Sequence, residues 1–184
     1  LLQDLHTVWF FWSLCIPGTY NDQKNQTVCK SCSKNNYTDS VRQTICKTCG
    51  YGERSDEGSA KCTKCDAGEA GTGDDGACEA CQVGQYRNAS MGPTMCFECP
   101  AGRTSEAGST KCQLCEAGKY GDVIGKDCQS CNVGQYRTSE MLEATKCVFC
   151  EEGSYQNQQG QANCLPCIPG TYNDQKNQTV CKSC

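Results

Sequence analysis

The sequence predicts a fold of small disulfide-rich repeats, arranged as an elongated, solenoid-like rod of about ten short β-hairpin or loop modules with little regular secondary structure. Three observations support this prediction: the scarcity of large apolar side chains, the abundance of cysteine, and the regular spacing of the cysteines along the 184 residues. The expected organisation is a non-repeat apolar segment over residues 1–14, followed by tandem cysteine-rich repeats of about 17 residues over residues 15–184.

The composition excludes a conventional hydrophobic core. Leu, Ile, Val and Phe together number 23 of 184 residues, whereas the 21 cysteines exceed the share that is typical of disulfide scaffolds. Cross-links are therefore expected to replace the core. Cytosolic and nuclear thiols are kept reduced, so this cysteine content indicates an extracellular or cell-surface protein. The net charge of −4, with Lys and Arg scattered singly, argues against a nucleic-acid partner.

The cysteines repeat at intervals of 16 to 19 residues. After the lone Cys15, ten CxxC pairs begin at Cys29, Cys46, Cys62, Cys78, Cys96, Cys112, Cys128, Cys147, Cys164 and Cys181. A fixed short period is the signature of an array whose units pack on their neighbours. Three positions after the cysteine that opens each unit stands Gly, replaced once by Asn35, and this predicts a shared turn residue with positive φ. Tyr follows two residues later in seven units, and we expect it to cover the disulfide while its hydroxyl stays in water.

A longer period is also present. The segment from Cys46 matches the segment from Cys96 in cysteine spacing, and Cys147 opens a third block, so three units make a block of about 50 residues. Three blocks make a superunit of 152 residues, the distance from Cys15 to Cys167. The eighteen residues 15–32, CIPGTYNDQKNQTVCKSC, recur unchanged at 167–184. We interpret the recurrence as the start of the next superunit of a longer protein, with a local duplication or a sequence-assembly artefact as alternatives.

The simplest pairing joins the second cysteine of one CxxC pair to the first cysteine of the next. The predicted bonds are Cys15–Cys29, Cys32–Cys46, Cys49–Cys62, Cys65–Cys78, Cys81–Cys96, Cys99–Cys112, Cys115–Cys128, Cys131–Cys147, Cys150–Cys164 and Cys167–Cys181. Cys184 is left over and is expected to pair with a residue beyond this stretch. Crossed pairing between neighbouring units stays open, because sequence alone does not determine connectivity. Each closed loop of this size contributes about 3 kcal/mol in the chain-entropy treatment.

CxxC pairs at this separation are also typical of zinc ribbons, in which four thiolates hold one ion. The acidic balance and the shared Gly and Tyr positions favour disulfides instead. Four NxS/T sequons point the same way, and their asparagines are Asn25, Asn36, Asn88 and Asn177. Each is expected in a loop where an N-linked glycan faces solvent. We therefore expect no metal and no other cofactor.

The pattern of CxxC, then xxGxY, then about twelve polar residues resembles the ephrin-receptor-like cysteine-rich repeat, which is related to the small modules of TNF-receptor ectodomains. The resemblance covers residues 15–184. It implies hairpin-like modules stacked into a slender rod. The chain departs from the pattern at Arg54, Ala70 and Thr104, which replace Tyr. Such repeats occur in receptors, in secreted matrix proteins and in protist surface proteins including flagellar hairs, so the resemblance implies a fold more than a function.

Residues 1–14 do not fit the array. Their apolar run VWFFWSL is too short to span a bilayer, so no membrane span is expected in this stretch. We expect the segment to pack on a neighbouring chain, with a signal-peptide remnant or a misassigned stretch as alternatives. His6, the single histidine, has no nucleophile motif or second ligand near it in sequence.

Little in the sequence suggests chemistry. We expect no enzyme, because so few apolar residues hardly build a dry active-site cavity. The acidic stretch DAGEAGTGDDGACEAC has carboxylates of the kind that bind Ca²⁺, but a solvated acidic loop is the favoured interpretation.

Two functional hypotheses follow. The first is a structural building unit of an extracellular glycoprotein filament or cell-surface fibre, which self-associates or contacts other extracellular proteins through repeated faces. Identical superunits suit regular assembly, and head-to-tail contacts that do not close give filaments. The alternative is a ligand-binding or adhesion ectodomain of a cell-surface receptor.

Overall fold

The architecture is a series of short β-hairpins. The computed structural model describes residues 15–23, 28–71, 73 and 77–184, and the twenty strands found there have two residues each. They are β1 (Thr19–Tyr20), β2 (Lys30–Ser31), β3 (Asn36–Tyr37), β4 (Lys47–Thr48), β5 (Glu53–Arg54), β6 (Thr63–Lys64), β7 (Glu69–Ala70), β8 (Glu79–Ala80), β9 (Gln85–Tyr86), β10 (Phe97–Glu98), β11 (Arg103–Thr104), β12 (Gln113–Leu114), β13 (Lys119–Tyr120), β14 (Gln129–Ser130), β15 (Gln135–Tyr136), β16 (Val148–Phe149), β17 (Ser154–Tyr155), β18 (Leu165–Pro166), β19 (Thr171–Tyr172) and β20 (Lys182–Ser183).

Consecutive strands pair into ten two-stranded sheets, from β1 with β2 to β19 with β20. We number these hairpins as modules 1 to 10, and each begins at the cysteine that precedes its first strand. The opening cysteines are Cys15, Cys32, Cys49, Cys65, Cys81, Cys99, Cys115, Cys131, Cys150 and Cys167. The predicted class of small disulfide-rich repeat modules with little regular secondary structure is thereby confirmed.

A tight turn opens each module. In module 1 the Thr19 N–H donates to the Ile16 carbonyl at 3.0 Å, and Gly18, with φ 88°, occupies the third position, as a type II turn requires. The same position has positive φ in every other module, including Asn35 at 62°. The predicted left-handed turn is therefore confirmed in all ten modules. The carbonyl of this turn residue also accepts the N–H of the opening cysteine of the next module. In module 1 the Cys32 N–H donates to the Gly18 carbonyl at 2.9 Å.

Ten disulfides replace the apolar core. They are the bonds of the simplest predicted pairing, with Cα–Cα distances of 5.6 to 5.8 Å, and Cys184 is an exposed free thiol. The opening cysteines of modules 1 to 9 are buried, and in the described residues the other buried apolar side chains are Ala70 and Ala144. The bonds join consecutive CxxC pairs rather than crossed ones.

Backbone hydrogen bonds join each module to the next. Between modules 1 and 2, the Gly18 N–H donates to the Thr38 carbonyl at 2.9 Å, and the Arg42 N–H donates to the Cys15 carbonyl at 3.0 Å. Gly18 also faces module 3, since a Cβ on it would lie 2.0 Å from the Gly58 carbonyl oxygen. Module 1 therefore contacts both module 2 and module 3.

The described residues divide into two compact units. One extends to Glu79 and includes Gly92–Met95, and the other consists of Ala80–Met91 with Cys96–Cys184. The contacts above belong to the first unit. The second unit repeats them, with Gly84 N–H to Ser105 at 3.0 Å, Gly108 N–H to Cys81 at 2.8 Å, and Gly84 against Gly125. The elongated rod stays a prediction, and the apolar segment 1–14 with His6 lies outside the described residues.

Candidate functional site

The junctions between modules contain a buried polar position that the sequence reasoning missed. The residue directly after the Tyr position is a buried polar residue in seven modules, as Thr38, Ser55, Arg87, Ser105, Arg137, Gln156 and Asn173. Polar side chains are normally exposed unless they are hydrogen-bonded. A signal for this position exists in the sequence, because all ten modules have a polar residue or glycine there.

Five of these side chains bond to the module before their own, namely Thr38, Ser55, Ser105, Arg137 and Asn173. Gln156 Nε2 donates instead to the Asn163 carbonyl of its own module at 2.7 Å. The Thr38 hydroxyl accepts the Gly18 N–H at 2.8 Å and donates to the Thr19 carbonyl at 3.3 Å. The equivalent bonds run from Ser55 to the Asn36 carbonyl at 3.0 Å, from Ser105 to that of Gln85 at 2.7 Å, and from Asn173 to that of Ser154 at 2.8 Å. Leaving such a buried acceptor without a donor costs about 1–3 kcal/mol, so these hydrogen bonds stabilise the contact between neighbouring modules.

Arg137 makes the most extensive of these contacts, and its side chain is 0% exposed. Its Nη1 donates to the carbonyls of Cys115, Glu116 and Lys119 at 2.9, 2.8 and 3.0 Å. Its Nη2 donates to the Met141 carbonyl at 3.1 Å, while its Nε has no partner. Burial lowers the pKa of this guanidinium, which nevertheless stays charged because arginine is not deprotonated in proteins. All four of these hydrogen bonds from the guanidinium are to backbone carbonyls.

Three modules present the same charged group on their surface. In modules 1, 2 and 10, Lys bonds to Asp at about 3 Å, as Lys30–Asp22, Lys47–Asp39 and Lys182–Asp174. The ammonium of each Lys also lies 5.8 to 6.0 Å from the ring centre of the Tyr opposite it. The bond to Lys lowers the pKa of each Asp, and the Asp raises the pKa of its Lys. Exposed pairs of this kind contribute little to stability.

The ion pair of module 2 predicts a small acid sensitivity. A carboxyl with a pKa lowered below 3.8 in the folded state stabilises the protein above that pH, and the contribution is lost as the pH falls through the folded pKa. Asp39→Asn is therefore expected to lower the denaturation midpoint slightly at neutral pH and to leave it unchanged near pH 2. Equal shifts of the midpoint at both pH values would contradict this account of Asp39.

The sequons differ in their surroundings. Asn25 lies outside the described residues. Asn36 lies between Cys32 and Cys46 in strand β3, and its Nδ2 donates to Ser33 Oγ at 3.1 Å and to the Lys34 carbonyl at 3.0 Å. Asn88 follows strand β9, and its Oδ1 accepts both the N–H and the hydroxyl of Ser90 at 3.0 and 2.7 Å. Asn177 is exposed in the module 10 loop.

These surroundings predict unequal glycosylation. The glycan bond is made to Nδ2, which is already engaged in two hydrogen bonds at half-buried Asn36. After expression through a eukaryotic secretory pathway, we expect glycopeptides containing Asn88 and Asn177, and an unmodified peptide containing Asn36. Asn36→Gln should then leave the intact mass of the glycoprotein almost unchanged, whereas Asn88→Gln should remove one glycan. Occupancy at Asn36 as high as at Asn88 would contradict the assignment.

The acidic stretch is partly neutralised. Arg54, which stands at the Tyr position of module 3, bonds to Asp66 and, at 2.9 Å, to Glu69. These two carboxylates are thus ion-paired rather than merely solvated as expected. Asp74 and Asp75 lie outside the described residues. In the part of the chain that the structure describes, no group of three His, Cys, Asp or Glu side chains is placed to hold a metal ion.

The described residues form short hairpins that are cross-linked by disulfides. Ten disulfides are typical of extracellular proteins. Among the described residues, no helix has the length and apolar character needed to cross a membrane. No protein-family model matches the chain, and no curated protein matches it.

Proposed function

We propose that this chain is a structural building unit of an extracellular glycoprotein filament or cell-surface fibre. The observation that carries the proposal is that the described parts of the identical segments 15–32 and 167–184 form the same hairpin with the same charged group. Both hairpins have the same register, Thr19 opposite Ser31 and Thr171 opposite Ser183. Both have the Lys–Asp pair and the Lys–Tyr contact described above. A lateral contact that forms at one of these surfaces is therefore available again at the other.

We also propose that the repeats belong to the ephrin-receptor-like type. The support is the combination of a turn residue with positive φ, a disulfide from the opening cysteine to the next CxxC pair, and a two-residue hairpin in each module. Filaments suit such repeats because seven modules bury a polar junction residue. In nine modules both residues of the second strand stay exposed.

Electron microscopy of the purified native protein over a range of concentrations tests the proposal. We expect regular fibres whose axial repeat is a whole multiple of the rise per module. Ile16 and Ile168 lie at equivalent positions of the two identical surfaces and are 62% and 69% exposed. The double variant Ile16→Asp with Ile168→Asp is expected to form shorter or no fibres, with an unchanged melting temperature. Exposed Leu142, replaced by Asp, is the matched control outside these surfaces.

A second candidate is a ligand-binding ectodomain. One observation favours it: Val148 and Phe149 of module 8 and Leu165 of module 9 are exposed on the second strands of consecutive hairpins. Exposed apolar clusters often mark protein contacts. A monodisperse monomer at every concentration, with no fibres, would contradict the filament proposal and favour this one.

A further inference from the structure

The loops of modules 5 and 8 are the longest, because their bonded cysteines stand 15 and 16 positions apart in the sequence instead of 13 or 14. The module 8 loop reaches back over two modules. The Gly121 N–H of module 7 donates to the Ala144 carbonyl at 2.8 Å. Ala144 is 1% exposed, and its atoms lie 3.2 to 3.4 Å from where a Cβ on Gly102 of module 6 would stand.

The same arrangement occurs independently in the other compact unit. The Gly71 N–H donates to the Pro93 carbonyl at 2.9 Å. A Cβ on Gly52 would lie 2.7 Å from Pro93 Cγ. Gly71 and Gly121 occupy the same position of their blocks, 50 residues apart, as do Gly52 and Gly102. The contact therefore recurs in the blocks that begin at Cys46 and Cys96 and is not confined to one place in the chain.

Close approach explains the glycines at 71 and 121. Neither has a positive φ, so conformational freedom is not what requires glycine there. A Cβ on Gly71 would lie 2.5 Å from the Gly52 nitrogen, and a Cβ on Gly121 would lie 3.3 Å from Cys115 Sγ. Both stand at the position where seven other modules bury a polar side chain. A side chain would therefore clash with the Gly52 backbone at position 71 and make a tight contact with the Cys115 sulfur at position 121.

Arg137 holds the long loop in place. In modules with short loops, a loop N–H donates to the carbonyl of the preceding opening cysteine, from Gly125 to Cys99 at 2.9 Å and from Gly160 to Cys131 at 2.8 Å. In module 8, Arg137 Nη1 instead donates to the carbonyl of Cys115, which is the opening cysteine of the preceding module. Its Nη2 donates to the Met141 carbonyl of the module 8 loop. Arg87 donates to the Met91 carbonyl of the module 5 loop at 3.2 Å in the same way.

We propose that these contacts form a recognition surface that determines which modules can follow one another. We name it the glycine lock, formed by Gly102, Gly121, Ala144 and Arg137, and by Gly52, Gly71 and Pro93. A long-loop module docks only on a module with glycine after its Tyr position, because any side chain there meets the loop or the backbone beneath it. The smallest exchangeable piece of the array is then a block of three modules, whichever function the array serves.

Three deletions from the full chain test this proposal by oxidative refolding. Deleting residues 116–131 removes module 7 and places Ser105 beside Ala144. Deleting residues 100–115 removes module 6, also 16 residues, but keeps Gly121 in front of module 8. Deleting residues 82–131 removes a whole block and places Gly71 in front of module 8. The measured quantities are the melting temperature and the fraction of molecules with the native disulfide pairing.

The deletion of residues 116–131 is expected to lower the melting temperature by about 5 °C or more relative to the other two, and to increase mispaired disulfides. Adding Ser105→Gly to that deletion should restore the melting temperature. In the full chain, Gly71→Ser should melt well below Gly92→Ser, since a Cβ on Gly92 meets nothing within 4 Å. Equal melting of the three deletions, no rescue by Ser105→Gly, or equal melting of Gly71→Ser and Gly92→Ser would each overturn the proposal.

Discussion

Gly18→Ala is expected to destabilise the protein much more than Gly170→Ala, although the two glycines lie in identical eighteen-residue segments. Both have φ near 85°, at +88° and +85°, so alanine has the same conformational cost of about 1–2 kcal/mol at either position. Gly18 alone faces another backbone, since its Cβ would lie 2.0 Å from the Gly58 carbonyl oxygen, whereas nothing lies within 4 Å at Gly170. Overpacking of this kind adds about 1–3 kcal/mol or more at Gly18.

Guanidinium denaturation of the oxidised variants measures the difference in unfolding free energy directly. The two positions have the same flanking sequence within the segment and nearly the same φ, so these factors contribute equally to both variants. A second pair gives the control, because a Cβ on Gly118 would lie 2.0 Å from the Gly160 carbonyl oxygen, whereas a Cβ on Gly153 would meet nothing within 4 Å. We expect Gly118→Ala and Gly153→Ala to differ in the same direction. If alanine costs the same free energy at Gly18 and Gly170, contacts between a module and the second module after it do not stabilise the array.

Arg137→Met is expected to lower the free energy of unfolding by about 3–5 kcal/mol, because it leaves several buried carbonyls without donors at about 1–3 kcal/mol each. Met has a similar length and no charge, so the loss reports hydrogen bonds rather than volume. Arg137→Lys should recover part of it, since an ammonium has three donors but lacks the planar fork of arginine. Urea denaturation of both variants measures the series.

Exposed Arg103 provides the control for Arg137, because it lies in strand β11 of module 6 and its side chain is in solvent. Arg103→Met is expected to change the free energy of unfolding by no more than about 0.5 kcal/mol. A change at Arg137 as small as that at Arg103 would contradict the role assigned to the buried guanidinium.

The sequence predicted those features that depend on one module alone. Cysteine spacing and the Gly or Asn after each opening cysteine determine a local loop and a local turn, so both could be derived by aligning the units. The buried position of Thr38 was missed because its partner, the Thr19 carbonyl, belongs to another module. Because burial is usually predicted from hydrophobicity, a polar side chain such as that of Thr38 is not recognised as buried from the sequence.

A second left-handed position was also missed. Arg42, Gly58, Gly108, Gly125, Gly160 and Asn177 have positive φ, and their N–H groups bond to the opening cysteine of the preceding module. They stand nine or ten positions after the opening cysteine of their own module, so a nearly fixed spacing marks them, but Arg42 and Asn177 in place of glycine concealed the pattern. Asn36 lies between Cys32 and Cys46 and belongs to strand β3, which begins immediately after the turn at Asn35.

The account depends most on disulfides that join consecutive CxxC pairs in place of an apolar core. Alkylation of the native protein after metal chelation, followed by peptide mapping, tests it most directly. We predict one alkylated cysteine, Cys184, and ten cystine-linked peptides that contain the pairs from Cys15–Cys29 to Cys167–Cys181. Reduction should then raise the intact mass by about 2 Da for each bond. Alkylation of most cysteines in the native protein, or peptides that link non-consecutive pairs, would contradict the account.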